Sequence, residues 1–163
     1  MSDADPKLRA RRLFLDDEGY YGCAETALVA LQEHFDLPDA ADSSPALALN
    51  GGIAYSGATC GALTGAALAV GRLAAARLPD HREAKSAARF LIQDVMAEFD
   101  ERFGAVDCRT LTGYNLIADH DTFMEDGTWR TTCTPQIEFV IGRLSSLAEE
   151  SNWTASFGAA EPG

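Results

Sequence analysis

The sequence predicts an all-α bundle in a single domain, and three observations carry that prediction. Apolar residues recur at helical spacing through several long stretches. Aspartate, threonine or proline stands before these stretches and glycine after them, the residue types that cap helix starts and ends. No segment alternates apolar and polar side chains with the period of a strand. The 163 residues make one domain, residues 1–163, long enough to bury a core without disulfide staples. Four long helices plus shorter helical turns account for the chain.

Asp5-Pro6 offers a cap followed by proline, so a first short helix is expected to about Asp17, with Gly19 ending it. Cys23 opens a second helix whose apolar positions Ala27, Leu28, Leu31 and Phe35 keep the helical period. Leu37 to Pro45 reads as a loop. A glycine-rich approach, Asn50 to Thr59, leads to a third helix from Cys60 to about Ala76, with Thr59 as its cap. Its small residues Gly61, Gly65, Ala66, Ala69 and Ala74 predict a central position, and would also let it pack against a second copy of the chain as a homodimer. The clearest helix runs from His81 to Phe103, with a stripe of Ala88, Leu91, Ile92, Val95, Met96, Phe99 and Phe103 stopped by Gly104. Asp107 caps a short turn at Cys108 that Gly113 closes. Asp119 to Thr132 reads as polar loop with room for a short helix. Thr132 or Thr134 caps the last helix to about Glu150, with Pro135 in its first turn and Ile137, Val140, Ile141, Leu144 and Ala148 on one face. The tail from Trp153 to Gly163 is expected to fray.

Charge narrows the function. With 25 acidic and 13 basic residues the formal net charge is -12, which argues against nucleic acid or an anionic membrane surface as partner. No apolar run reaches the ~20 residues that span a bilayer. Met1 to Asp5 lacks the basic, then apolar start of a secretory signal, so a cytoplasmic setting with reduced thiols is expected.

The chemistry then rests on sulfur. All four cysteines, Cys23, Cys60, Cys108 and Cys133, fall where a helix is expected to begin, and a helix N-terminus favours thiolate over thiol. Their separations of 37, 48 and 25 residues contain no Cys-x-x-Cys and no zinc-finger spacing. Any one of them alone would read as a small buried hydrophobe. Neighbouring helices of a bundle run antiparallel, so bringing all four to one end requires the loops before Cys60 and Cys133 to carry the chain back.

Tyr21-Gly22-Cys23-Ala24-Glu25, Gly51-Gly52-Ile53, Gly57-x-x-Cys60-Gly61-Ala62-x-x-Gly65-Ala66, Phe103-Gly104-x-x-x-Cys108 and a lone Cys133 resemble a bacterial and archaeal family of redox proteins defined by four cysteines, the C_GCAxxG_C_C family. The match covers about Gly19 to Leu147, and the Cys60 segment is its most specific part. The resemblance implies a cysteine-centred activity without naming a substrate.

Three readings follow. In the first, a thiol-dependent oxidoreductase or sulfur-transfer protein, Cys60 is the reactive thiolate, another cysteine resolves it, and no cofactor is needed. Its partner is a redox protein or a small thiol or sulfur compound, to whose sulfur Gly51, Gly52 and Gly57 permit close approach. In the second, all four thiolates hold an iron–sulfur cluster, or less readily zinc, for electron transfer. In the third, the chain is a helical interaction module whose cysteines are merely packed. Thr59 and Gly61 flank Cys60 and belong to the candidate pocket. Glu25 is either a proton relay or, the stronger reading, a first-turn glutamate held by the helix dipole. His120, between two aspartates, is either a base or ligand near the site or simply exposed. His34 and His81 read as solvated, and Tyr20, Tyr21, Tyr55 and Tyr114 suit either a pocket wall or ordinary packing.

Overall fold

The computed structural model describes residues 5–150, and the expected fraying of residues 153–163 lies outside them. Seven α-helices follow in order, with no β-strand among the described residues: α1 (Pro6–Phe14), α2 (Cys23–His34), α3 (Gly61–Arg77), α4 (His81–Phe103), α5 (Cys108–Thr112), α6 (Leu116–Glu125) and α7 (Thr134–Glu150). A 3-10 turn spans Ser44–Ala46, and a π-helical turn spans Trp129–Cys133. Helices α2, α3, α4 and α7 are the long ones, as expected.

Most helix ends obey the caps read from the sequence: Asp5 and Asp107 accept from the N–H groups of Lys7 and Thr110, and Gly104 and Gly113 close α4 and α5 with positive φ. Asp80 caps α4 by accepting from Glu83 N–H. Three starts or stops differ. Helix α1 ends at Phe14, short of Asp17, because Asp16, Asp17 and Glu18 would sit at the negative end of its dipole. Cys60, not Thr59, is the cap residue of α3, because Thr59 is engaged in an isolated antiparallel bridge with Asp107. Neither Thr132 nor Thr134 caps a free end, since the π-helical turn feeds directly into α7. Helix α6 occupies much of the stretch read as loop. Asn115 caps it, accepting from Ile117 and Ala118 N–H, and it kinks at Asp119, which is why no clean period was visible.

The core centres on α2, whose residues Ala24 to Gln32 are all buried. It packs on α3, with α1 and α7 against its other sides and α4 beyond α3. The small residues of α3 serve this internal packing: a side chain at Gly65 would run into the Ala24 carbonyl of α2. Ile137, Val140, Ile141, Leu144 and Ala148 are buried on α7, and Leu91, Val95 and Phe99 on α4. The long 35–60 connection is pinned by buried Gln32 and half-buried Arg72. Arg72 donates to Gln32 Oε1 at 2.5 Å and to the Pro38 carbonyl at 2.7 Å, while Gln32 donates to the carbonyls of Ala40 and Asp42. That fixed loop carries the chain back, so that α3 starts beside the start of α2.

Gly65→Ala is therefore expected to lower unfolding free energy by about 2 kcal/mol or more in urea titration, through overpacking against α2. Gly71→Ala in the same helix, where a Cβ meets nothing within 4 Å, is expected to raise it by up to about 1 kcal/mol. Equal effects at the two positions would contradict this packing.

Candidate functional site

Three local devices gather the cysteines. The first is the meeting of two helix starts. Gly61, the first residue of α3, lies so close to Cys23 Sγ that any side chain there would collide with it. The second is a short antiparallel pairing of residues 57–60 with 106–109: Cys60 N–H donates to the Val106 carbonyl at 2.8 Å, Cys108 N–H to Ala58 at 2.7 Å, and Arg109 N–H to Gly57 at 3.1 Å. This pairing sets Cys108 beside Cys60. The third is the π-helical turn, which packs Cys133 and Trp129 against Cys108, Leu116 and Phe123.

Cys23 is the hub. The backbone N–H groups of Gly51, Ala24, Cys23 itself and Gly61 point at its sulfur and stabilise negative charge there. Gly51 reaches it through a left-handed turn: φ is positive at Gly51, Gly52, Ile53, Ala54 and Tyr55 in succession. Three of those residues carry side chains, each held in a conformation that costs roughly 1–2 kcal/mol. Asn50 anchors the turn to α2, accepting from Ala24 N–H at 2.9 Å and donating to Glu25 Oε1 at 3.0 Å. Glu25 is buried and its oxygens are taken, accepting also from Gly22 N–H and Ser43 Oγ, which is the arrangement of a first-turn capping glutamate.

A cavity of about 340 Å³ opens over these sulfurs. Cys23, Cys108 and Cys133 line it, with the rings of Phe14, Tyr20, Tyr21, Tyr55, Phe123 and Trp129. Glu25, Gly51 and His120 also line it, and the His120 ring lies 4.9 Å from that of Tyr55. Cys60 is buried behind the wall, its thiol 4.0 Å from Gln136 Oε1. Gly52 and Gly57 do not open space for a partner: Ala58 and Arg109 of the same chain fill it. Thr59 is held in the bridge outside the cavity lining. Tyr114 packs on Phe123 and hydrogen-bonds Asp126, while His34 is half-buried and pairs with Glu149. Sequence reasoning missed Asn50, Phe14, Phe123 and Trp129. Asn50 directly before the paired glycines was the available signal; the aromatics carried none.

The electrostatics run opposite to what helix starts alone suggest. Burial pushes every one of the four thiols up. For Cys60, Cys108 and Cys133 the next largest cause is the charge of Cys23, so a thiolate there is felt by the other three. Cys108 is raised to about 11, with the Thr112 hydroxyl opposing the rise. Cys133 also feels Cys60 and Cys108, so the four form one coupled group.

A family model described as "Putative redox-active protein (C_GCAxxG_C_C)" matches residues 21–147, well over half of the chain. The chain belongs to this family. No curated protein and no solved structure matches it. Membership in the C_GCAxxG_C_C family assigns it a redox role in general terms, and the two glycines of the chain's own Cys60–Gly65 segment have a physical reason. Gly61 of Cys-Gly-Ala-x-x-Gly clears the Cys23 sulfur, and Gly65 clears the Ala24 carbonyl.

Among the described residues, no group of three or more His, Cys, Asp or Glu side chains stands in an arrangement that could hold a metal ion. The thiols as placed therefore do not fit a single zinc or iron ion, although they share one coupled site.

The raised thiols make stability depend on pH. A folded thiol titrating above its ordinary value of 9.0 keeps its proton while the unfolded one loses it, so ΔG of unfolding falls as pH rises. The reduced protein is expected to lose on the order of 2 kcal/mol from Cys108 alone between about pH 9 and 11, read by urea titration, with a shallower loss in Cys108→Ala. A rise in stability over that window, or no difference between the two proteins, would contradict the assignment.

Proposed function

We propose that this protein is a dithiol–disulfide redox protein in which Cys23 is the attacking sulfur. The sequence alone points to Cys60 for that role; the geometry favours Cys23, because Cys23 faces the cavity and carries the converging N–H groups while Cys60 does not face it. That convergence on one cavity-facing sulfur, with three further thiols in its field, is the observation that carries the reading. The N–H groups offset part of the burial that raises the Cys23 thiol, and they remain in place as charge develops on sulfur. Cys108 and Cys133 face the same cavity and supply the resolving thiol. Cys60 raises the charge density behind them and reinforces the tendency to lose thiolates by forming a disulfide. His120 lines the cavity and is the imidazole there that can take up the proton Cys23 releases.

The second reading, a four-cysteine iron–sulfur cluster, draws on the same coupling, since metal binding relieves mutual repulsion among thiolates. Each iron of such a cluster takes only one or two thiolates, so the lack of a three-donor group about one point among the described residues bears on a lone zinc or iron ion and not on a cluster.

The test is anaerobic purification with iron and acid-labile sulfide assays, followed by reversible oxidation with free-thiol counting. Colourless protein whose thiols disappear two at a time and return with reductant supports the dithiol reading. Cys23→Ser is expected to abolish paired loss, and Cys60→Ala to retain it. Near-stoichiometric iron and sulfide, lost in each single cysteine variant, would overturn the reading in favour of the cluster. Four thiols that neither pair nor bind metal would leave packing as their only role.

A further inference from the structure

Resting on the dithiol reading, we propose that the cavity over Cys23 admits cationic or uncharged small disulfides and turns away anionic ones. Two chain segments supply much of its wall and its surroundings. Gly19 and Tyr20 line it directly after the exposed Asp16, Asp17 and Glu18. His120, Phe123 and Met124 line it from α6, whose exposed surface carries Asp119, Asp121 and Glu125, with Asp126 following. Neither residues 15–22 nor residues 114–127 contain a lysine or arginine, and none lines the cavity. Of the nearby cations, Arg9, which feels Tyr21, is held by Glu33 at 2.8 Å, Arg130 stacks over the Trp129 ring at 4.7 Å, and the exposed Arg109 follows Cys108, so the carboxylates of these flanking segments outnumber them.

The lining itself carries the capped Glu25 carboxylate and is otherwise uncharged or aromatic. The charge therefore acts from the exposed carboxylates of the flanking segments, whose field raises the local concentration of cations and depletes anions. The tyrosine and tryptophan faces add attraction for an ammonium group. At about 30 Å³ of liquid volume per water-sized group, the cavity's 340 Å³ holds on the order of ten such groups, enough for a small disulfide.

The exchange balances without another reactant. Cys23 gives up its proton and its sulfur attacks one sulfur of RS–SR. A Cys23–SR bond forms, the original S–S bond breaks, and RS⁻ leaves and takes a proton. A second cavity-facing thiol loses its proton and attacks Cys23 Sγ, forming the protein disulfide and releasing the second RSH. Two protein thiols are oxidised and one external disulfide is reduced to two thiols.

The test uses the reduced full-length protein and three disulfides of matched size: cystamine, bis(2-hydroxyethyl) disulfide and dithiodiglycolate. Each rate of paired thiol loss is divided by the rate with the neutral thiol 2-mercaptoethanol, which removes leaving-group differences. Cystamine is expected to exceed dithiodiglycolate by about tenfold or more at low salt, and the ratio to shrink at ~1 M salt, where charges are screened within ~3 Å. Asp121→Lys, at a fully exposed position, is expected to lower the same ratio. Equal normalised rates, or a faster anion, would overturn the proposal. So would oxidation by the small neutral oxidant diamide with no reaction from any of the three disulfides, which leaves the dithiol reading standing. If diamide also fails to pair the thiols, the dithiol reading itself falls and the proposal with it.

Discussion

The close approach of two helix starts is the constraint on which the rest depends. Helices α2 and α3 meet at their N-termini because Gly61 and Gly65 leave room for Cys23 Sγ and the Ala24 carbonyl. With larger residues there the helices would separate, and the Gly61 N–H would no longer reach the Cys23 sulfur. The Gln32–Arg72 clamp on the 35–60 connection makes the meeting geometrically available by returning the chain to the end where α2 began. The antiparallel pairing of residues 57–60 with 106–109 then extends the site from two cysteines to three, and the π-helical turn before α7 adds the fourth.

Two opposing effects act on the sulfurs, and their balance gives the site its character. Burial and mutual repulsion hold the thiols protonated at neutral pH, with Cys108 raised to about 11. Backbone N–H groups work the other way, four of them meeting at Cys23 and those of Ala62 and Leu63 at Cys60. The result is a group of thiols that resists accumulating thiolates, with Cys23 the more N–H-rich of the two and the one that lines the cavity. On the proposed dithiol reading, forming one disulfide takes two of the four thiols out of this mutual repulsion. The positive-φ run from Gly51 to Tyr55 belongs to the same design: a costly turn is maintained where it aims an N–H at sulfur and a ring at the cavity.

The helices were legible because their signals are local. Asp5, Asp107, Gly104 and Gly113 act at the ends where their chemistry placed them, and the apolar face of α7 is buried residue for residue. The four cysteines were legible as a set, and so was the capping role of Glu25. What escaped was whatever depends on tertiary placement. Helix α6 kinks at Asp119, which blurs its period, and its cap Asn115 stood outside the stretch read as loop. Asn50 acts across 26 residues on the Ala24 N–H, a distance that no local pattern reveals. The shift of emphasis from Cys60 to Cys23 has the same origin. Position at a helix start is written in the sequence, whereas burial and the number of N–H groups meeting at one sulfur are not.

The most direct test of the account is to map the first disulfide that forms. Reduced protein is oxidised with a limiting amount of oxidant, remaining thiols are capped, and the linked peptides are identified by mass spectrometry. The account predicts that Cys23 is present in the first disulfide, joined to Cys108 or Cys133. A first disulfide that joins Cys60 to either of those two and leaves Cys23 capped would contradict it.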